Sequence, residues 1–185
     1  TTLSLLFLSL LGLKREKIDN DLITKAKKAF SYLNKKEKYG LLWDGVMSEW
    51  NDTAYKYGNL LYTNIIYWYA TKKFYEFARD KLFLDKSKEI AKQIRQRLWN
   101  GKYFCDWNDY KQQNYFYTFG NLLAIAWNFT NKTESDSILN ESKKVKINFT
   151  LDTNSPKYPF WRIDIFHHLV LQGNYQNKDI LWWQP

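Results

Sequence analysis

The sequence of 185 residues has few of the side chains on which small disulfide-bonded or metal-bound domains depend. Its single cysteine, Cys105, excludes an internal disulfide and a cysteine-based zinc cluster. Its two histidines, His167 and His168, are adjacent, so they cannot share one helix face as an i,i+4 metal pair would. The sequence therefore predicts no metal and no cofactor, and the fold has to be stabilised by packing.

Long hydrophobic runs are also lacking. The apolar N-terminal segment ends at Leu13, whereas a helix needs about 20 apolar residues to cross a bilayer. It has no basic leader and no small-residue cleavage site, so we interpret it as a buried helix of a cytoplasmic protein without a membrane partner. Because the chain opens inside this helix and without Met, we expect a truncated N-terminus.

Positive charge and aromatic residues are what the sequence has in excess. The net charge of +9 would suit a nucleic-acid partner, but the lysines are dispersed, which favours a solvated surface and predicts no nucleic acid. Aromatic residues make up 19% of the chain, with nine Trp. Rigid aromatic faces stack on sugar rings and also fill hydrophobic cores, so composition alone leaves both uses open.

Apolar residues recur at helical spacing over residues 19–34, 60–79, 85–99, 116–130 and 134–147. Strongly apolar segments alternate with amphipathic ones, which is typical of an inner and an outer layer of helices. The pattern predicts an all-α protein of helical hairpins. The long connections at residues 35–58, 100–115 and 148–160 should then open on one face, where functional residues are expected.

A short motif repeats along this array. Residues 49–52 (Glu-Trp-Asn-Asp) precede residues 58–61 (Gly-Asn-Leu-Leu), and residues 106–109 (Asp-Trp-Asn-Asp) precede residues 120–123 (Gly-Asn-Leu-Leu). The same order one hairpin later predicts that Glu49 and Asp106 occupy equivalent places on one rim.

These motifs resemble a known family. Residues 49–53 and 62–64 are similar to the Asp-Trp-x-Asp-Ser/Thr and Tyr-Thr-Asn segments of six-hairpin glycosidases, above all the amylo-alpha-1,6-glucosidase (glycogen-debranching) proteins, with trehalase, mannosylglycerate hydrolase and neutral invertase as more distant relatives. Residues 98–104, 120–125 and 173–185 resemble later segments of the same family, in order. The resemblance implies a partial (α/α)6 toroid. Residues 1–185 would then form a fragment of one catalytic domain, about half of the barrel, partnered by the remainder.

The resemblance also implies a function, the hydrolysis of alpha-glucosidic bonds in oligo- or polysaccharides. Such hydrolysis uses two carboxyl groups, one as the general acid and one as the base of an inverting mechanism. Asp52 matches the family's acid, although an Asp at this place also commonly caps a helix or turn. The family's base lies farther along, so we expect it beyond Pro185 and expect the 185-residue chain to be inactive. The candidate sugar-binding residues are Glu49, Trp50, Tyr55, Asn64, Asp106, Trp107, Asp109, Tyr175, Asn177 and Trp183.

Two alternatives remain open on the sequence. Glu49 stands where the family has Asp, which also fits a catalytically silent carbohydrate-binding relative. A helical-repeat interaction protein would use the same aromatic residues only as core. Exposure of Trp50, Tyr55 and Trp107 in one cleft would argue against that second alternative.

Overall fold

A computed structural model describes residues 20–46, 48–49, 54–147, 150–151, 154–159 and 161. This part of the chain contains five α-helices: α1 (Asn20–Asn34), α2 (Leu61–Ala78), α3 (Lys81–Leu98), α4 (Thr118–Ala126) and α5 (Lys132–Lys144). The five helical segments predicted between residues 19 and 147 are confirmed, with shifted ends, whereas the N-terminal helix predicted up to Leu13 lies outside the described residues. Helix α3 begins earlier than predicted because Asp80 caps it, accepting a hydrogen bond from the backbone N–H of Leu82.

Eight short β-strands accompany these helices: β1 (Glu37–Lys38), β2 (Leu41–Leu42), β3 (Asn59–Leu60), β4 (Cys105–Asn108), β5 (Gln112–Tyr117), β6 (Lys146–Ile147), β7 (Thr150–Leu151) and β8 (Asn154–Ser155). Strands β1 and β2 form a hairpin, as do β6 and β7. The remaining strands form a four-stranded antiparallel sheet in the order β3-β4-β5-β8.

The prediction of an all-α partial (α/α)6 toroid is therefore wrong, and the described residues form a mixed helical and antiparallel-sheet structure. The missed strands lie in or beside the connections predicted at residues 35–58, 100–115 and 148–160, which look like loops in the sequence. Most of these strands are only two residues long, too short for alternation of apolar and polar residues to be visible. Strand β4 is buried along its whole length and yet carries polar residues, so it lacks the usual strand pattern altogether.

The hydrophobic core lies between α2 and its neighbours α3 and α4. Helix α2 is apolar on most of its circumference, as expected for a helix enclosed by others. Phe30 of α1 closes one end of this core by packing its ring against Phe74 and Phe83, with centroid distances of 5.2 and 4.9 Å. The fully buried side chains of this core include Leu61, Ile65, Ile90, Ile94, Leu98 and Phe104.

Two buried asparagines join helices to the strand segments in the same way. The side chain of Asn64, in the first turn of α2, accepts from the backbone N–H of Leu42 (2.8 Å) and donates to its carbonyl (3.2 Å). Asn121 in α4 makes the same pair of bonds with the backbone of Phe104, both at 2.9 Å. Each amide also donates to the carbonyl four residues earlier.

The matching bonds define a structural repeat whose register differs from the predicted one. Leu42 corresponds to Phe104, so Asp44, two residues later, corresponds to Asp106. The sequence motif had paired Asp106 with Glu49, and Asn121 with Asn59. That pairing is wrong, since Asn59 lies in β3 before the helix whereas Asn121 lies within a helix.

Candidate active site

A buried ion pair joins two residues that stand on either side, in the sequence, of the segment with the predicted acid. Lys56 and Glu49 flank this segment, and the Lys56 Nζ atom lies 2.8 Å from the Glu49 Oε2 atom. Both side chains are almost completely shielded from solvent. Removing charges from water is costly unless they are paired, so the two residues need each other to stay buried. The pair fixes residues 49 and 56 against one another.

Strand β4 supplies a second carboxylate to the same lysine. The two carboxylate oxygens of Asp106 lie 3.2 and 3.3 Å from the Lys56 Nζ atom. The Tyr158 hydroxyl donates a hydrogen bond to the Asp106 Oδ2 atom from the opposite end of the described chain. Asp106 is fully buried because β4 lies inside the four-stranded sheet, between β3 and β5.

Aromatic rings enclose the lysine. The Lys56 Nζ atom is 4.4 Å from the centroid of the Tyr117 ring and 5.9 Å from that of Tyr158. Tyr62, which is only partly buried, meets the Tyr117 ring edge-on at 6.4 Å. The electron-rich ring faces stabilise the ammonium group, and they also exclude water from the two carboxylates.

Burial shifts the protonation of this cluster. Loss of hydration raises the pKa of Glu49 to about 7, although the ammonium of Lys56 opposes the shift and the carboxylate of Asp106 adds to it. Burial alone would lower the pKa of Lys56, but the charges of Asp106 and Glu49 outweigh it and raise that pKa. Glu49 can therefore exchange a proton near neutral pH while Lys56 stays charged.

The tyrosines of the cluster are held in their neutral form. Burial raises the pKa of Tyr158 well above the ordinary value, with the nearby carboxylate of Asp106 adding to the shift. Burial likewise raises the pKa of Tyr117, reinforced by the charges of Glu49 and Asp106. Both hydroxyls thus keep their protons and act as hydrogen-bond donors.

Asp44 belongs to this cluster although the sequence interpretation missed it. Its backbone N–H and C=O pair with Gly58, at 2.8 and 2.9 Å, which places it beside Lys56. Burial raises the pKa of Asp44, while hydrogen bonding by Thr63 and Ser48 and the charge of Lys56 oppose that shift. The sequence did contain a signal for Asp44. Like Asp106, it stands two residues after an apolar residue and ahead of a helix that carries a buried Asn.

Lys56, Tyr117 and Tyr158 were missed for a different reason. The sequence places them in two loops and a helix end with no periodicity, and only the fold shows that they meet. Lys56 also occupies the space between Glu49 and Asp106 that a metal ion would need.

The predicted sugar-binding residues have different surroundings in the structure. Glu49 and Asp106 meet at Lys56 in the interior of the protein and not on an open rim. Asn64 is committed to backbone groups. Tyr55 is exposed at the surface.

Trp107 lies wholly inside the protein. Its ring is 0% exposed and stacks on Tyr115, with 5.3 Å between centroids and 6° between planes. Its indole N–H points to the Asp109 Oδ2 atom at 3.4 Å, and Gln113 donates to the other oxygen of Asp109 at 2.8 Å. Trp107 and Asp109 thus support the sheet beneath the cluster, and Trp107 offers no free face to a sugar.

Five predicted site residues lie outside the described residues: Trp50, Asp52, Tyr175, Asn177 and Trp183. Their predicted roles stay predictions.

No family model and no curated protein matches the chain. Within the described residues, no helix combines the length and the apolar character needed to cross a membrane.

Proposed function

We propose that this protein is a glycoside hydrolase acting on alpha-glucosidic bonds of oligo- or polysaccharides, with Asp52 as the general acid. The observation that carries the proposal is the buried cluster of Glu49, Lys56 and Asp106, since Glu49 and Lys56 stand three residues before and four residues after Asp52 in the sequence. These two residues are joined to one another and, through Lys56, to β4. A catalytic acid has to be held in place, because small displacements of the reacting group greatly reduce rate.

The electrostatics of the cluster favour acid–base chemistry. Glycoside hydrolysis needs one carboxyl group that holds its proton near neutral pH and another that is ionised. Burial raises the pKa of Glu49 to about 7, so this carboxyl group is held toward the protonated form. Lys56 contributes a fixed positive charge that balances the neighbouring carboxylates.

The test is hydrolysis of maltooligosaccharides by the product of the intact open reading frame. Asp52→Asn should lower kcat roughly a hundredfold or more, since positioned general acids contribute at least that much. The matched control is Asp85→Asn, which changes an exposed carboxylate of α3 and should leave kcat unchanged.

Two outcomes would contradict the proposal. One is an Asp52→Asn protein that keeps nearly all of the activity. The other is the absence of turnover with any alpha-glucoside by a folded intact protein, which would favour the catalytically silent carbohydrate-binding alternative.

A further inference from the structure

A second lysine, Lys38, is surrounded by aromatic rings at the protein surface. Its Nζ atom lies 4.2 Å from the ring centroid of Trp43, 4.8 Å from that of Tyr110 and 5.4 Å from that of Tyr39. It also donates a hydrogen bond to the Tyr110 hydroxyl at 3.2 Å. We call these three rings and Lys38 the aromatic patch. Its outer rings are open to solvent, with Tyr39 47% and Tyr110 70% exposed.

The backbone holds both outer tyrosines in conformations that such residues seldom adopt. Tyr39 has a φ of 61° and Tyr110 a φ of 118°. Tyr39 and Gly40 form the two-residue turn of the β1–β2 hairpin, where Asn-Gly is the usual pair. A left-handed conformation outside glycine costs on the order of 1–3 kcal/mol and is concentrated at functional positions. Two such residues around one ammonium indicate that the rings serve a purpose beyond stability.

The charge of the patch is positive, and no carboxylate among the described residues neutralises it. The Arg97 guanidinium lies 4.2 Å from the ring centroid of Tyr39. It donates at 3.0 Å to the amide oxygens of Asn59 and of Asn108, which fixes its position. Across the described part of the chain, neither Lys38 nor Arg97 forms an ion pair with a carboxylate. A cationic ligand would be repelled here, whereas an anionic ligand would find two cations ready to receive it.

We propose that the aromatic patch binds an acidic oligosaccharide, whose rings stack on Tyr110 and Trp43 while its carboxylate or sulfate groups approach Lys38. The carbohydrate character of this ligand rests on the proposed glycosidase function. Exposed aromatic faces suit the apolar faces of sugar rings. Lys38 and Arg97, which have no carboxylate partner among the described residues, then favour a chain with negative groups over a neutral one. This narrows the class of substrate proposed for the protein.

Single-stranded nucleic acid is the competing ligand, since it too combines ring faces with negative charge. It is less favoured because nucleic-acid grooves track the backbone with a continuous row of cations. Among the described residues, Lys38 and Arg97 are the only cations that lie against the three rings.

The experiment compares ligands that differ in charge alone. Binding of maltohexaose, sulfated maltohexaose, an oligogalacturonate and hexathymidylate is measured by calorimetry with the Asp52→Asn protein, so that no ligand is consumed. We expect both acidic oligosaccharides to bind more tightly than maltohexaose. Lys38→Gln should weaken their binding about tenfold and remove the preference, while Tyr110→Ala should weaken all oligosaccharides.

Lys36→Gln is the matched control. Lys36 lies 5.5 Å from the exposed ring of Tyr32, outside the patch, and its loss changes the net charge by the same amount. It should leave all affinities unchanged. Equal losses in Lys36→Gln and Lys38→Gln would overturn the proposal, as would tighter binding of hexathymidylate, equal binding of neutral and acidic chains, or no oligosaccharide binding.

The outcomes also separate the two proposals. Charge-selective binding that depends on Lys38, without hydrolysis by the intact protein, would keep the patch and reject the glycosidase. Hydrolysis that depends on Asp52, with no effect of Lys38→Gln on binding, would support the glycosidase and reject the aromatic patch as a binding site.

Discussion

Lys56 and Lys38 both lie against aromatic rings, but they differ in the number of carboxylates that contact them in the described residues. Each ammonium lies 4 to 5 Å from a tyrosine ring. Lys56 is fully buried and contacts two carboxylates, whereas Lys38 is half-exposed and contacts none in the described residues. Aromatic contact alone therefore does not define the role of a lysine. The carboxylates make Lys56 part of the fold, and their absence leaves Lys38 available to a ligand.

The largest expected difference between the two lysines is in stability. Lys56→Met should lower the free energy of unfolding by about 3–5 kcal/mol because it leaves the buried carboxylate of Asp106, and the ionised fraction of Glu49, without a counter-charge. Lys38→Met should cost less than about 1 kcal/mol, as for an exposed charge. Urea denaturation at pH 7 measures both. Similar losses in the two variants would show that Lys56 is not a paired core residue.

If Lys56→Met does not fold, the charge argument is still testable. Adding Glu49→Gln and Asp106→Asn removes the uncompensated charges, so this triple variant should regain a folded state. A triple variant that remains unfolded would point to lost packing instead.

The next effect in size is the pH dependence of the buried cluster. The pKa of Glu49 is raised from 4.5 to about 7 in the folded state, so the folded protein binds the proton more tightly than the unfolded chain does. The contribution of this proton to the free energy of unfolding is fully present below pH 4.5 and is lost as the pH rises through 7. Wild type should therefore lose about 3 kcal/mol relative to Glu49→Gln across this range. The measurement is the difference in unfolding free energy between the two proteins at pH 4.5 and 8. A constant difference would contradict the shift.

A smaller effect concerns single hydroxyl groups in the two regions. Tyr158→Phe removes a buried hydrogen bond to the Asp106 carboxylate, and bonds to charged groups contribute about 1.5–3 kcal/mol. Tyr110→Phe removes an exposed hydroxyl bonded to Lys38 and should cost less than about 0.5 kcal/mol. The Tm of each variant, measured by thermal unfolding, compares the two losses. An equal decrease of Tm in both variants would contradict the expected difference between a buried and an exposed hydroxyl.

The smallest expected change has the opposite sign. Tyr39→Asn places a residue that tolerates positive φ in the β1–β2 turn, so stability should rise by up to about 1 kcal/mol. The same change removes a ring of the aromatic patch and should weaken binding of sulfated maltohexaose. Chemical denaturation and calorimetry on the same preparation check both signs. A gain in stability without a loss in affinity would show that the Tyr39 ring does not contribute to binding.

The helices could be predicted from the sequence because their apolar residues repeat over many positions. Helix α2 has apolar residues around most of its circumference, and α3 has them on one face, at Ile90, Ile94 and Leu98. Both patterns extend over 18 residues, long enough to distinguish helix from other structure. The strands had no comparable signal, since β3 contains only Asn59 and Leu60.

The site could be predicted only in part. Glu49 and Asp106 were found because a repeated motif named them. Lys56 was not, because a lysine in a basic chain is ordinarily a surface residue, and its burial depends on carboxylates 7 and 50 residues away. The repeat itself was assigned the wrong register, because Gly-Asn-Leu-Leu occurs twice in different local structures. Only the hydrogen bonds of Asn64 and Asn121 reveal the true correspondence.

Those two asparagines have a consequence for recognising related chains. The Asn side chain carries a hydrogen-bond acceptor and a donor at the distance that pairing with a backbone N–H and C=O requires. Asp lacks the donor, and the longer side chain of Gln places both groups too far from its own backbone. In any homologue the two positions should stay Asn even where the surrounding apolar residues change. A search for such homologues can therefore use a short pattern: an apolar residue, any residue and Asp, followed by an Asn in the first turn of the next helix. It follows the structure more faithfully than the tryptophan motif does.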